Sequence, residues 1–222
     1  MKNLKQQFRH LLAYAACLIC GAIPYAAASV VVVDNGPPDH LTGNNLGFAF
    51  QAEDFSLAAG AILTGISFWS LEGDNAYRGR ISWSIKENNR RDAPGATLAR
   101  GTQVDVTRTA LGSYDGLQEF RNDFALNAPL TLGPGTYWLV LHNGARRNLG
   151  DPNEFLWEST AGNGSLPGVE RFGRSGPWST TGTEHAFQVS AVAEPAEVVM
   201  LLLGMTLLVC LKRRDERSEN FV

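Results

Sequence analysis

The stretch Ile81-Ser82-Trp83-Ser84-Ile85-Lys86 alternates apolar and polar side chains without a break. A period of two residues is typical of a β-strand that buries one face. The pattern therefore predicts a strand in which Ile81, Trp83 and Ile85 face a core, and it assigns Trp83 to that core rather than to a binding surface.

A second predicted strand covers residues 136–142, where Tyr137, Leu139 and Leu141 alternate with Trp138 and Val140. Since both of its faces are apolar, we expect a central strand that is covered on both sides. Further strands are expected at residues 47–51, 61–71, 97–106, 117–126, 154–159 and 184–191. Turn residues such as Gly133-Pro134-Gly135 and Ser175-Gly176-Pro177 separate them.

Residues 29–192 are predicted to form one all-β domain, a two-sheet β-sandwich, because no window keeps a helical period of 3.6 residues. Two segments echo each other. Asp54-Phe55-Ser56-Leu57 leads to Phe68-Trp69, and Asp123-Phe124-Ala125-Leu126 leads to Tyr137-Trp138. This echo favours a jelly-roll-like layout built from two similar halves.

Charge and cysteine content limit the partners of this domain. The chain has 222 residues, and residues 29–195 hold 18 acidic and 12 basic side chains, which leaves −6 in the middle of a chain whose ends are basic. This argues against nucleic acid, whose recognition calls for a basic surface. Cys17, Cys20 and Cys210 all lie in the apolar ends, so the domain has no thiol to form a disulfide. We also expect no cofactor.

Residues 1–28 have the three parts of a secretory signal. An apolar stretch at residues 11–23 follows a basic start, and Ala26 and Ala28 place small side chains at a cleavage site before Ser29. Signal peptidase is therefore a predicted partner. The basic start consists of Lys2, Lys5 and Arg9. An uncleaved anchor, and a lipoprotein signal ending at Cys17, are the alternatives.

A short membrane segment is predicted near the other end of the chain. The run at residues 198–211 is apolar, and Lys212, Arg213 and Arg214 follow it directly. Basic residues remain on the cytoplasmic side, so we expect a transmembrane helix at about residues 196–211 and a cytoplasmic tail at residues 215–222. The domain would then face the periplasm, held by inner-membrane lipid. The alternative is a buried core helix.

Ala193-Glu194-Pro195, the Leu-rich helix with Gly204 and the basic cluster together resemble the PEP-CTERM sorting signal of Gram-negative bacteria, here at residues 193–214. The resemblance implies recognition by an exosortase-type transpeptidase and an association with exopolysaccharide. It also implies release to the cell surface or matrix after processing. Upstream, Asp-Phe-x-Leu, the run Gly-Pro-Gly-Thr-Tyr-Trp-Leu and a late Gly-Pro-Trp loop are similar to β-sandwich domains found before such tails.

The histidines of the domain predict no metal site. His40, His142 and His185 are far apart in the chain, and none has a partner at the spacing of a zinc motif. His142 and His185 are interpreted as structural residues of strands. Calcium remains an alternative, because oxygen ligands cluster in two places. These are Asp34, Asn35, Asp39, Asn44 and Asn45, and separately Glu72, Asp74 and Asn75.

No catalytic constellation is present in the sequence. Glu53 and Asp54 are adjacent and would point to opposite faces of a strand, so they are not expected to act together as an acid–base pair. Glu154 and Glu158 would share a face, and we interpret them as solvated strand ends. The serines lack the Gly-x-Ser-x-Gly elbow. We therefore expect that the protein is not an enzyme.

Three loop aromatics, Trp178, Tyr77 and Tyr114, are candidates for contact with a glycan, because sugar-binding sandwiches present flat rings to pyranose faces. Three hypotheses follow. The first is a membrane-tethered, non-enzymatic protein of the envelope or exopolysaccharide matrix. The second is a carbohydrate-binding module, calcium-dependent in one version. The third is an enzyme acting on polysaccharide.

Overall fold

The structure is a computed structural model that describes residues 29–89, 91–161, 166–173, 175–192 and 206. The predicted signal at residues 1–28, the predicted sorting motif at Ala193-Glu194-Pro195 and the basic cluster at Lys212-Arg213-Arg214 lie outside the described residues. No helix within the described part of the chain has the length and apolarity that crossing a membrane requires.

Fourteen strands make up the described domain. They are β1 (Ser29–Asp34), β2 (Pro38–Asn45), β3 (Phe50–Leu57), β4 (Ala61–Glu72), β5 (Ile81–Asn88), β6 (Pro94–Gln103), β7 (Thr107–Tyr114), β8 (Leu117–Leu132), β9 (Gly135–Asn143), β10 (Phe155–Thr160), β11 (Val169–Arg171), β12 (Ser179–Thr180), β13 (Glu184–His185) and β14 (Phe187–Val192).

Two antiparallel sheets contain these strands, as expected for an all-β sandwich. In the first sheet, β4 pairs with β8 along one edge and with β14 and β10 along the other. β7 extends β8, β1 extends β14, and β2 and β13 pair with β10. The second sheet has the order β12-β11-β3-β9-β5-β6.

The core lies between the two sheets, and both contribute to it. The predicted strand is confirmed as β5, and Ile81, Trp83 and Ile85 are all buried there. From the first sheet, Phe68, Phe124, Phe155, Trp157, Phe187 and Val189 join the same apolar cluster. Aromatic rings from neighbouring strands meet edge-on, as Phe68 and Trp157 do with centroids 6.4 Å apart.

Strand β9 is central, as its sequence predicts. It lies between β3 and β5 in the second sheet, and Leu139 and Leu141 face the core. Trp138 and Val140 face the other way and are also buried, in a smaller cluster. That cluster consists of Phe50, Ala52, Trp138, Val140 and Val169, with Leu149, Leu166 and Trp178 packed against it.

Several expected strand limits are shifted. The strand expected at residues 47–51 begins at Phe50, because the Asn45 side chain accepts hydrogen bonds from the amides of Gly47 and Phe48 and forms a turn. The strand expected at 97–106 is β6, which ends at Gln103. β7 was not expected, since it is a mostly exposed edge strand without an apolar face.

Candidate anion-binding groove

A groove of about 460 Å³ lies on the face of the second sheet that is turned away from the core. Its floor comes from Phe50 on β3, Ser84 on β5 and Val140 on β9, three residues that share this face because they occupy paired positions or alternate with core residues. Cationic side chains form its walls: Lys86, Arg100, Arg146, Arg147 and Arg171.

Among the residues that the structure describes, these five cations have no anionic partner. Within the described residues no carboxylate lies at ion-pair distance from any of them, and none lines the groove. Lys86 donates instead to the carbonyl oxygen of Gly95 at 3.0 Å and to the hydroxyl of Thr97 at 2.8 Å. Arg146 donates to the backbone carbonyl oxygen of Trp83.

The cations are close enough to repel one another. Burial, followed by the charges of Arg171 and Arg146, lowers the pKa of Lys86. Burial, followed by the charges of Arg100 and Arg171, lowers the pKa of Arg146. Clustered like charges in a half-buried site weaken the folded state, so the cluster is better explained by an anionic ligand than by stability.

Arg171 also carries a hydrogen-bond donor that lacks an acceptor among the described residues. Its guanidinium lies over the rings of Phe50 and Trp178, with centroid distances of 5.3 and 4.6 Å. Its Nε–H is buried and has no acceptor among the described residues. An unsatisfied buried donor costs about 1 to 3 kcal/mol, which an anion accepting that hydrogen bond would recover.

Trp178, one of the three candidate glycan contacts, lies beside this groove. It is half-buried, stacks against Arg171 and packs on the outer apolar cluster of the second sheet. Close to it in the chain, Phe172 directly follows Arg171, is exposed and meets the exposed ring of Phe48 edge-on at 5.7 Å. Trp178 therefore gives the groove an aromatic surface next to one of its cations, Arg171.

Tyr77 and Tyr114 lie elsewhere. Tyr77 follows β4, stacks on Phe155 at 5.8 Å and has the Arg108 guanidinium 4.3 Å above its ring, so it serves as a half-buried lid on the core. Tyr114 ends β7 in the first sheet and stacks on His40 at 4.6 Å. The structure thus does not bring the three predicted aromatics together on one surface.

The oxygen clusters considered for calcium are used in turns and hydrogen bonds. Asp39 accepts from the amides of Leu41 and Thr42, and Asn44 accepts from Thr183 and contacts a ring nitrogen of His185. In the second cluster, Glu72 accepts from Ser70 and pairs with Arg108. All three residues of that cluster, Glu72, Asp74 and Asn75, line a separate cavity of about 330 Å³.

The two carboxylate pairs behave differently from each other. Glu53 and Asp54 point to opposite faces of β3, as expected, since Glu53 reaches His185 between the sheets while Asp54 pairs with Trp138. The interpretation of Glu158 as a solvated strand end is wrong. Glu154 is exposed, but Glu158 is fully buried because the turn carrying His40 covers it and donates a backbone hydrogen bond to it.

Sequence reasoning missed the groove. Its cations come from four separate parts of the chain, within a domain whose net charge is negative. The adjacent pair Arg146-Arg147 and Lys86 at the end of the best predicted strand were the available signals. Lys86 is on β5, Arg100 is on β6, and Arg146 and Arg147 follow β9. The pairing of β5 with β6 and β9 is what brings these cations together.

No protein-family model matches this chain, and no curated protein matches it.

Proposed function

We propose that this protein is an exported, non-enzymatic protein of the cell envelope or exopolysaccharide matrix, and that it binds an acidic polysaccharide in the basic groove. The observation that carries the proposal is the set of five cations around one groove, whose described lining includes no carboxylate to balance them. A polymer of uronate or similarly charged sugars supplies regularly spaced anions, and bidentate arginine contacts suit carboxylates well.

The ends of the sequence support the same location. A removable signal at residues 1–28 and a PEP-CTERM-like tail at residues 193–214 would place the domain outside the inner membrane, in contact with exopolysaccharide. In this proposal a jelly-roll-like sandwich is flanked by a signal helix and a transmembrane helix. Signal peptidase and an exosortase-type transpeptidase would process them.

The aromatic surface favours a sugar over a simple inorganic anion. Trp178 and Arg171 form one stacked unit at the groove, and Phe48 and Phe172 expose about half of their surface. Rings of this kind pack against the apolar faces of pyranoses while cations bind the carboxylates. This arrangement combines the matrix hypothesis with the carbohydrate-binding alternative, with Trp178 as the one predicted aromatic at the groove.

The test measures binding of the purified full-length chain to polygalacturonate, with neutral dextran as the comparison. The variant replaces Arg100 and Arg147, both exposed, by glutamine. If each contributes about 1 kcal/mol, the double variant should bind the polyuronate at least tenfold more weakly and lose part of the salt dependence.

The matched control replaces Arg80 and Arg91, two exposed arginines outside the groove, by glutamine, which makes the same change in net charge. This control should bind as the parent does. Equal losses in both variants would show that binding follows overall charge and not the groove. Tighter binding to single-stranded DNA than to polygalacturonate would overturn the assignment to polysaccharide.

Cleavage of polysaccharide is the less favoured alternative. Glycoside hydrolysis needs two carboxylates on either side of the scissile bond, about 5 to 10 Å apart. The described lining of the groove offers cations, hydroxyls and apolar side chains, so the function that fits it is binding.

A further inference from the structure

A second site lies on the first sheet, away from the basic groove and independent of the function proposed for it. Glu119 on β8 and Glu158 on β10 are on the outer face of this sheet, since they alternate with the core residues Phe124 and Trp157. Both carboxylates are nevertheless fully buried. His40, from a turn within β2, covers them, and Tyr114 stacks on the outer side of its ring.

The three side chains converge on one point. His40 Nδ1 lies 3.2 Å from Glu119 Oε2 and 3.6 Å from Glu158 Oε1, and one ligand atom from each residue falls within 4.8 Å of the others. Within the described part of the chain, this is the group of three such side chains with the spacing of a metal site. The His40 side chain is 43% exposed, which leaves the site open to solvent on that side.

Each carboxylate also has an oxygen without a partner. Glu119 Oε1 and Glu158 Oε2 are buried, and no donor among the described residues reaches either of them. Two buried carboxylates this close repel each other, and unpaired buried charge is costly. Burial and the charge of Glu119 raise the pKa of Glu158 to about 8. A cation bound by the two carboxylates would neutralise their charge and remove the repulsion.

The donor set selects the type of cation. Calcium and magnesium prefer sites made only of oxygen, whereas an imidazole nitrogen together with carboxylates suits zinc. Ligand atoms about 2.0 to 2.1 Å from a tetrahedral zinc ion lie about 3.3 Å from each other. The distances of 3.2 and 3.6 Å from His40 Nδ1 to the two carboxylates match that spacing.

We propose that His40, Glu119 and Glu158 bind one zinc ion, with solvent completing the coordination on the side of His40. The ion would fasten the β2 turn to β8 and β10, which are separated by β4 in the same sheet. Its role here is that of a structural clamp on the outer face of the sandwich.

The test titrates zinc chloride into the full-length chain, purified in detergent without a histidine tag and stripped with a chelator. Cys17, Cys20 and Cys210 are first changed to serine, so that thiols cannot take up the metal. We expect one zinc ion per chain and a thermal midpoint that rises with zinc concentration, because the ion binds the folded state. Calcium or magnesium at the same concentration should not displace it.

Two variants test the ligands separately. Glu158→Gln keeps the size of a buried side chain, and His40→Gly removes the imidazole while tolerating the left-handed backbone of His40, whose φ is 61°. Each should weaken zinc binding by about tenfold to 100-fold or more. Glu154→Gln, an exposed carboxylate four residues from Glu158, is the control and should leave binding unchanged.

The His40→Gly variant keeps the test decisive if Glu158→Gln does not fold. Absence of zinc binding by the parent chain would overturn the proposal. So would zinc binding of parental strength in folded His40→Gly, or tighter binding of calcium than of zinc.

Discussion

Trp83 is enclosed on every side. It is 2% exposed, and on β5 it pairs with Leu141 of β9 and Gly101 of β6. Trp83→Ala should lower the free energy of unfolding by about 3 to 5 kcal/mol, because it leaves a cavity that the paired strands cannot close. Urea unfolding followed by circular dichroism measures this. Trp178 is half-buried, so Trp178→Ala should lower the free energy of unfolding by less. An unchanged unfolding midpoint for Trp83→Ala would contradict the assignment of Trp83 to the core.

Another buried unit, Glu53 with His185, is polar and spans the two sheets. Glu53 Oε2 lies 2.7 Å from His185 Nδ1 and accepts the His185 backbone N–H at 2.8 Å. On the other side of the ring, His185 Nε2 lies 3.0 Å from Asn44 Oδ1. Burial raises the pKa of Glu53 to about 9 and lowers that of His185 to about 3. The pair therefore remains neutral overall between these limits.

Stability should consequently fall as the pH rises above about 6.5. The ordinary pKa values in the unfolded chain are 4.5 for Glu53 and 6.5 for His185. Between these two values the folded and unfolded pair bind the same number of protons. From pH 6.5 to about 9 the folded pair holds one proton more, so the pair alone lowers the free energy of unfolding by about 1.4 kcal/mol per pH unit. Thermal unfolding at pH 6.5, 7.5 and 8.5 measures this decrease.

Glu53→Gln should be less stable at pH 6.5 but show a shallower decrease with pH, since glutamine does not titrate. Part of the slope should remain, because burial also raises the pKa of Glu158, to about 8, and its titration acts in the same direction. Glu154→Gln, on an exposed residue, should keep the parental slope. A stability that increases from pH 6.5 to 8.5 in the parent chain would refute the linkage.

At the level of the elements, the two similar sequence segments lie at corresponding places in the fold. In the first copy, Phe55 and Leu57 of β3 face the core, and the chain then crosses from the second sheet to β4 in the first. In the second copy, Phe124 and Leu126 of β8 face the core, and the chain crosses in the opposite direction to β9. The repeated sequence thus corresponds to a repeated crossing between the sheets.

The pairing of β5 with β6 depends on a glycine. A Cβ added to Gly101 would lie 2.1 Å from Asn127 Oδ1 and 2.7 Å from the ring nitrogen of Trp83. Gly101→Ala should therefore destabilise the fold by about 1 to 3 kcal/mol, since Trp83 is buried and cannot move away freely. Gly112→Ala on β7 is the control, because its Cβ would meet nothing closer than 3.5 Å. Equal thermal midpoints for the two variants would show that the ring yields without cost.

The fold class could be predicted because strands that cover the core carry period-two patterns. β5 was found by this pattern and β9 by its continuous apolar run, and both are central to the second sheet. β2, β7, β11 and β12 were missed, because they are short, at sheet edges or mostly polar, and leave no apolar face to detect. β1 was missed for another reason, since its four consecutive valines show no alternation and are mostly exposed. Their places are set by backbone pairing with neighbours that the pattern does find.

Neither candidate site could be predicted, for a reason of scale. Arg100 and Arg171 are 71 positions apart, and His40 is separated from Glu119 and Glu158 by 79 and 118 positions. Sequence motifs detect ligands carried by one element, whereas an antiparallel sandwich assembles its sites across strands. The absence of a zinc motif in the sequence therefore excludes only sites whose ligands are close together in the chain.

At the level of the whole molecule, the predicted tail would decide where the sandwich resides. Residues 198–211 include nine Leu and Val side chains, each worth about 0.3 to 0.6 kcal/mol in membrane insertion, for a total of about 3 to 5 kcal/mol. At about 1.5 Å per residue this run is shorter than a typical bilayer core, so its insertion depends on local thinning and on Lys212 and Arg213 extending to the interface.

A single charge in this run should release the protein from the membrane. Leu203→Arg adds a cost of about 2.5 to 3.5 kcal/mol at the centre of the helix and also loses the contribution of the leucine, which together offset most of the gain. Cell fractionation should move the protein from the membrane pellet to the periplasmic fraction, as deletion of residues 198–222 should also do. Leu203→Phe, which remains apolar, should stay in the pellet with the parent chain. If Leu203→Arg remains wholly in the pellet while the deletion variant is released, the anchor lies in another part of the tail than the apolar run around Leu203.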